Sequence, residues 1–438
     1  MNSILSTQNK IFGAKMLGGL MVTLGGLFYC FEVVVRLLPS GMIPELMASF
    51  SINRGGLGML SSAFYWGYLF ALLFSGPMID NFSLKRVLSY ATLVCALGCL
   101  LFSMSHTLLL GCVSRLIMGV GSAFAFVGVL KVAAIWLPKR YFGSMAGFIS
   151  LLGMISASYG QNKITHYITQ HSWQKISLTL AFVGVGISAL ILICMLEKKS
   201  DPTINKEVTS NGNEGHIWKA LVRILTSPVM WVNGIIGCIT FLPISAFSEL
   251  WGIPFLETTY ALTREKATFY NSLVLIGWAI GAPFFGIFYD TVQNWHRTIL
   301  WGTWAALACI LLTLFGSLPT LVIPVCLFLF GFTASSHVLV FISCRLYSPK
   351  HLTGTALSIT NFFTMIGGLV FQPLLGKLLD YTIPISSTEA AAYQLSLSVI
   401  PVGFLITILL IWSLPCPHKR ARQIEERQQK LTANHFNA

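Results

Sequence analysis

The sequence contains few charged residues. Only 10% of its 438 residues are Asp, Glu, Lys or Arg, whereas a soluble domain carries about 25%. Hydrophobic residues make up 55%. This composition excludes an ordinary soluble globular fold and predicts a chain that crosses a lipid bilayer several times.

Several sequence motifs are also missing. The ten cysteines form no Cys-x-x-Cys pair and nine lie in apolar runs, which excludes a disulfide framework and a zinc site. No Gly-x-x-x-x-Gly-Lys-Ser/Thr loop is present, which argues against an ATP-driven pump. There is no His-Glu-x-x-His motif, and the loops are too short for a catalytic domain. We therefore expect no enzyme activity, no metal and no cofactor, with a proton gradient as the driving force.

The apolar runs predict an all-α integral membrane protein. A spanning helix needs about 20 mostly apolar residues. Twelve runs qualify, at 16–38, 56–79, 86–104, 108–137, 142–161, 176–196, 229–250, 270–290, 298–315, 320–346, 354–379 and 393–414. The first follows Lys10 and Lys15 without a clear cleavage site, so we expect a permanent helix rather than a signal peptide. The boundaries predict an N-terminal half (1–196), a polar linker (197–228), a C-terminal half (229–414) and a tail (415–438).

The basic residues predict the topology. With the N-terminus inside, eighteen Lys and Arg residues fall in inner segments. The outer loops hold only Arg54, Lys163, Lys175, Arg264 and Lys266. Because Lys and Arg are enriched in cytoplasmic loops, both termini are expected in the cytoplasm. The net charge of +13 then reflects insertion into a membrane, and a nucleic-acid partner is not expected.

The two halves repeat two motifs. The stretch GPMIDNFSLKR contains Gly76 and Asp80, and GIFYDTVQNWHR contains Gly286 and Asp290 at the same spacing, 210 residues later. The stretches LPKRYFGSMAG and SPKHLTGTALS match at an offset of 211. Two matches at nearly one offset indicate an internal duplication, which is typical of transporters.

These motifs resemble those of the major facilitator superfamily, over nearly the whole chain. The resemblance implies twelve transmembrane helices arranged as two pseudo-symmetric six-helix bundles. It also implies a monomeric secondary transporter of the bacterial inner membrane, whose partners are a small solute and the lipid bilayer. The stretches FSELWGIPFLETTY and LSITNFFTMIGGLVFQPLLGKLLD are similar to the branch that includes amino-acid and phagosomal nutrient transporters.

The resemblance assigns a cytoplasmic gate motif. Its residues here are Gly76, Asp80, Lys85, Arg86, Gly286, Asp290 and Arg297. In the family, the aspartate at the position of Asp80 pairs across the cytoplasmic face and holds that face shut. A carboxylate that lies near a helix N-terminus and an arginine can form such a latch. The alternative is that the basic residues only enforce topology.

A second family pattern, Arg-x-x-x-Gly-x-Gly, matches Arg115, Gly119 and Gly121. The resemblance links this arginine to proton or substrate handling, and the glycines allow close helix packing. Alternatively, Arg115 could snorkel to the outer surface. The drug-antiporter motif centred on Gly-Pro is absent from the fifth span, which favours uptake over drug export.

Charged residues at membrane depth are functional candidates. Lys131 either snorkels or binds an anionic group, His337 is either a hydrogen-bonded interior residue or a proton carrier, and Glu249 is either a proton site or an exposed carboxylate at a helix end. Arg345 and Lys377 lie near helix ends and are attributed to snorkelling.

Glu32 and Arg36 lie four residues apart in the first span, so they share a helix face. They form either an internal salt bridge or a site in which Arg36 receives a solute carboxylate and Glu32 titrates. The sequence therefore predicts proton-coupled uptake of an amino acid, an organic acid or a carboxylate siderophore. The alternative is an exporter of drugs or siderophores with the same fold.

Overall fold

The structure, a computed structural model, describes residues 2–136, 142–197, 226–316, 318–348 and 353–414, which are almost entirely helical and contain no strand. Eleven of the helical segments in the described residues are long and apolar enough to cross a membrane, and the helix α5 covers the remaining predicted span at 142–161. The segments are α1 (Asn2–Leu37), α2 (Arg54–Asn81), α3 (Leu84–Ser103), α4 (Leu108–Trp136), α5 (Phe142–Tyr167), α6 (Trp173–Cys194), α7 (Pro228–Tyr260), α8 (Arg264–Val292), α9 (Trp295–Phe315), α10 (Ile323–Tyr347), α11 (Thr353–Thr382) and α12 (Glu389–Ser413). The predicted fold class is confirmed.

Short polar side chains begin many of these helices. Each accepts a hydrogen bond from a backbone N–H of the first turn, which would otherwise have no partner. These N-cap residues are Asn53, Ser83, Thr107, Ser172, Asn294 and Thr388.

The predicted end of the seventh span at residue 250 is wrong. α7 continues to Tyr260, and residues Pro243–Trp251 form a π-helical segment within it. The α-helix then continues through Gly252–Tyr260, which contains Pro254 and the polar residues that ended the apolar run in the sequence. Glu249 therefore lies inside the bundle rather than at a helix end. Most of the predicted linker and all of the tail lie outside the described residues.

Glycines allow equivalent pairs of helices to cross in the two halves. A Cβ on Gly67 would lie 2.0 Å from the Leu116 carbonyl oxygen, where α2 crosses α4. A Cβ on Gly277 would lie 2.1 Å from the Phe328 carbonyl oxygen, where α8 crosses α10. Gly277 follows Gly67 by 210 residues, which is the offset of the repeated motif. The crossings therefore agree with the duplication seen in the sequence.

We call the side of the bundle where α1 ends and α2 begins the outer side, following the predicted topology. The halves meet there, through α2 against α11 and α5 against α8. A Cβ on Gly58 of α2 would lie 2.6 Å from the backbone of Gln372 in α11. Near the inner ends of α2 and α8, a Cβ on Gly76 or Gly286 would meet no atom within 4 Å. The described contacts therefore close the outer side.

Candidate functional site

Three charged side chains meet where the halves join. Arg36 lies in the last turn of α1, with its Nη1 3.8 Å from the Glu32 carboxylate. Its Nε lies 3.2 Å from the carboxylate of Glu249, which comes from α7 in the other half. Tyr65 of α2 donates a hydrogen bond to the same Glu249 carboxylate. All four side chains are buried.

Local structure explains why these groups converge. Glu32 and Arg36 are one helical turn apart, and α1 gives way at Leu38 to a short 3₁₀ turn that contains Pro39. Glu249 lies in the π-helical segment, where the extra residue in the turn redirects the side chains that follow. Such segments are frequent at functional sites. The Glu32–Arg36 pair is thus observed, together with a second carboxylate that sequence analysis did not connect to it.

Arg115 braces the end of α1 from α4. Its side chain is 0% exposed, which rules out the snorkelling alternative. It donates hydrogen bonds to the carbonyl oxygens of Val35 (2.8 Å) and Arg36 (3.0 Å). Terminal helix carbonyls lack partners within their own helix, and a cation there also interacts favourably with the negative end of the helix dipole. Arg115 therefore fixes the backbone that carries Arg36.

Arg115→Ala is expected to lower thermal stability. It leaves two buried carbonyls without partners, at about 1–3 kcal/mol each. Scanning fluorimetry of purified protein should show a melting temperature several degrees below wild type. Lys175→Ala, at an exposed position, is the control and should melt like wild type. An unchanged melting temperature in Arg115→Ala would show that the brace carries little stability.

A layer of uncharged polar groups joins the halves beside the charged cluster. Gln161 of α5 donates hydrogen bonds to the Ser40 hydroxyl and the Ser248 carbonyl, both at 2.9 Å. Asn271 of α8 donates to the Gln161 side-chain oxygen (3.1 Å) and to the Ser248 carbonyl (2.9 Å). Sequence analysis missed this layer, although amides within or beside apolar spans were a usable signal.

Ion pairs close the outer surface. Arg264 of α8 pairs with Glu45, which lies in the short helix Ile43–Phe50, through two contacts of 2.6 and 2.8 Å. Arg54, the first residue of α2, pairs with Glu389 of α12. The Asp380 carboxylate of α11 accepts hydrogen bonds from the backbone N–H groups of Arg54 (3.0 Å) and Gly55 (2.7 Å). These bonds all connect one half to the other.

The remaining membrane candidates lie elsewhere. His337 is buried among Phe241, Trp278 and Phe341, with its Nδ1 2.9 Å from the Thr240 hydroxyl, as expected of a hydrogen-bonded interior residue. Lys131 is half-buried on α4 and takes part in an interaction there. Their roles in transport stay predictions. Arg345 and Lys377 are exposed.

The gate motif is only partly described. Gly76 and Gly286 are open, Lys85 is half-buried, and Arg86, Asp290 and Arg297 are exposed. The side chain of Asp80 lies outside the described residues. Its role as a latch stays a prediction, because the described contacts close the opposite side of the bundle.

Comparison with known proteins gives relatives of one kind. The profile of the Major Facilitator Superfamily matches residues 22–372. The putative transporter AraJ of Escherichia coli is 23% identical over 244 residues, 55% of this chain and 58% of AraJ. The probable sulfoacetate transporter SauU of Cupriavidus necator is 22% identical over 184 residues, 42% of each chain. The probable galactarate/D-glucarate transporter GudP of Bacillus subtilis is 22% identical over 173 residues, 35% of each chain. The chain thus spans about half the length of these relatives, or less.

Solved structures share the fold. A bacterial homologue of the human lysosomal transporter Spinster, in an inward-facing and unoccupied conformation, has a TM-score of 0.74 at 11% identity and covers 90% of this chain and 96% of its own. The D-xylose–proton symporter has a TM-score of 0.67 at 13% identity, covering 92% and 98%. These similarities, the twelve helices and the profile match agree. The chain is a multi-pass membrane protein and belongs to the Major Facilitator Superfamily, a family of transporters rather than enzymes.

Proposed function

We propose that the protein takes up a small carboxylate-bearing solute, coupled to protons, by alternating access. The observation that carries this proposal is the buried guanidinium of Arg36 at the junction of the halves. A guanidinium matches the geometry of a carboxylate and binds it through two parallel hydrogen bonds. The names of two relatives, which refer to sulfoacetate and to galactarate or D-glucarate, support an anionic solute.

Proton coupling follows from the charge of the cluster. Two carboxylates, Glu32 and Glu249, face the single guanidinium of Arg36. The other buried cation nearby, Arg115, bonds to backbone carbonyls rather than to either carboxylate. One guanidinium shared by two ionised carboxylates leaves them incompletely paired, which is costly when buried, and one bound proton removes that cost. Glu32 belongs to the same helix as Arg36 and stays beside it in every conformation, so it is the proposed proton site.

The closed outer side corresponds to the inward-facing step of the cycle. In alternating access, one half rocks against the other around a site near the middle of the membrane. The outer ion pairs and the amide layer would break when the protein opens outward. We place the protein in a bacterial inner membrane with both termini in the cytoplasm, in agreement with the distribution of Lys and Arg.

Uptake by proteoliposomes tests this proposal. The panel of labelled solutes is succinate, citrate, L-glutamate, D-glucarate and sulfoacetate, assayed with and without an inside-alkaline pH gradient. At least one solute should accumulate, and the gradient should increase its accumulation. If none of the five solutes accumulates, the proposed solute class is wrong. If accumulation does not depend on the pH gradient, proton coupling is wrong. Gradient-dependent movement only in the opposite direction would favour the exporter.

Glu32→Gln is expected to uncouple transport from protons. The amide cannot take up or release a proton, so accumulation above equilibrium should disappear, while exchange of internal for external solute continues. Glu265→Gln makes the same change at an exposed outer position and should behave as wild type. Gradient-driven accumulation by Glu32→Gln would exclude Glu32 as the proton site.

A further inference from the structure

Glu249 differs from the other charges of the cluster because it comes from the opposite half. Glu32, Arg36 and Tyr65 belong to α1 and α2, whereas Glu249 belongs to α7 and is 1% exposed. It contacts Arg36 and Tyr65 at once. A movement of one half against the other therefore changes the surroundings of Glu249 more than those of Glu32.

The contact between Arg36 and Glu249 is an ion pair without a well-aligned hydrogen bond. Arg36 Nε and Glu249 Oε1 are 3.2 Å apart, but both atoms are buried without a hydrogen-bond partner in the described part of the chain. The Glu32 oxygen that faces Arg36 is in the same condition. Charge attraction therefore holds Arg36 to the two carboxylates, and the hydrogen bond that Glu249 accepts comes from Tyr65 instead. A ligand carboxylate with two parallel bonds would satisfy the guanidinium better.

The pair also belongs to the outer closure. Ser248, the residue before Glu249, accepts hydrogen bonds from Gln161 and Asn271 in the amide layer. The bonds from α5 in one half to α7 in the other cannot survive an opening of the outer side. The segment that carries Glu249 then moves away from α1, and Arg36 loses this partner while it keeps Glu32.

We propose that Glu249 is the group that displaces the solute from Arg36. With the outer side open, Arg36 binds the solute carboxylate in the place that Glu249 has left. As the outer side closes, Glu249 returns to Arg36 and competes for the same guanidinium. One carboxylate replaces another, so the net charge at Arg36 is conserved and the solute is released inward. This inference rests on the proposed function and adds a release step to it.

Glu249→Gln separates displacement from a structural role. The amide keeps the shape of the side chain and an oxygen that accepts from Tyr65, but it has no charge with which to compete. Binding is measured by calorimetry on purified protein at one pH, with the panel solute that wild type accumulates most strongly. The variant should bind roughly tenfold more tightly, which corresponds to one charge-assisted contact. In proteoliposomes, KM and maximal rate should fall together, because release is slowed.

Glu257→Gln is the matched control, because Glu257 is half-buried and lies eight residues further along α7. This variant should change the Kd by no more than about twofold, in the range of surface charge effects. Unchanged or weaker binding by Glu249→Gln would overturn displacement by Glu249. The proposed function would still be supported if wild type takes up the solute and Arg36→Ala does not. If wild type binds no panel solute, both fail. If Glu249→Gln does not fold, Glu249→Asp, which keeps the charge but is one methylene shorter, should bind more tightly by a smaller factor, and unchanged or weaker binding would again overturn the inference.

Discussion

Arg36→Ala is expected to abolish solute binding and uptake. The substitution removes the guanidinium that receives the carboxylate and leaves Glu32 and Glu249 facing each other without a cation. Truncating one partner of a buried, hydrogen-bonded charge pair costs about 2–5 kcal/mol of binding free energy, so affinity should fall at least about thirtyfold. Calorimetry on purified protein and uptake by proteoliposomes both measure this loss.

Three further variants separate recognition from folding. Arg36→Lys keeps the charge but not the paired donors, so it should bind with intermediate affinity. The double variant Arg36→Gln with Glu249→Gln removes one charge of each sign. It should melt at a higher temperature than Arg36→Ala and, like Arg36→Ala, should not bind the solute. Arg345→Ala, at an exposed position on α10, should bind as wild type. Wild-type affinity in Arg36→Ala would mean that the cluster is only structural.

Gly58→Leu is expected to stop transport by keeping the outer side from closing. A Cβ at this position would lie 2.6 Å from backbone atoms of Gln372 and Pro373, and backbone atoms cannot move aside as a flexible side chain can. The halves would be held apart at α2 and α11. Uptake should fall to background, while purified protein still binds the solute.

Spin labels measure the predicted separation directly. His106 and Leu321 are exposed beyond the outer ends of α3 and α9, in different halves. Cysteines introduced there can be labelled after the ten native cysteines are changed to serine. The distance between the labels should increase in Gly58→Leu. Gly186→Leu is the control, because a Cβ on Gly186 would meet nothing within 4 Å. Normal uptake by Gly58→Leu would show that this contact is not needed in the cycle.

Much of the fold was predictable from local sequence. The length of each apolar run determines the spans. The 210-residue offset between the repeated Gly-to-Asp motifs is also the offset between the helix crossings at Gly67 and Gly277. The main error was the end of α7. Gly252, Pro254 and the threonines that follow resemble a helix end in sequence, but the π-helical segment and tertiary packing carry the helix to Tyr260.

The candidate site was predictable only in part. Glu32 and Arg36 are neighbours because α-helical spacing brings residues i and i+4 together, so local sequence was sufficient. Glu249 is 213 positions from Arg36, and its approach depends on how the halves meet and on the turn that precedes it. Arg115 was recognised from a motif, but its bonds to the carbonyls of Val35 and Arg36 depend on the crossing of α1 and α4.

Uptake of an acid and of its amide by wild-type proteoliposomes tests most directly whether the protein recognises its solute by a carboxylate. The acid is the panel solute that accumulates most strongly, and its amide differs only by loss of the negative charge, as succinamide does from succinate. The amide should be taken up at least about tenfold more slowly, since charge-assisted contacts are roughly twice as strong as neutral ones. Equal uptake of the acid and the amide would contradict recognition of a carboxylate by Arg36.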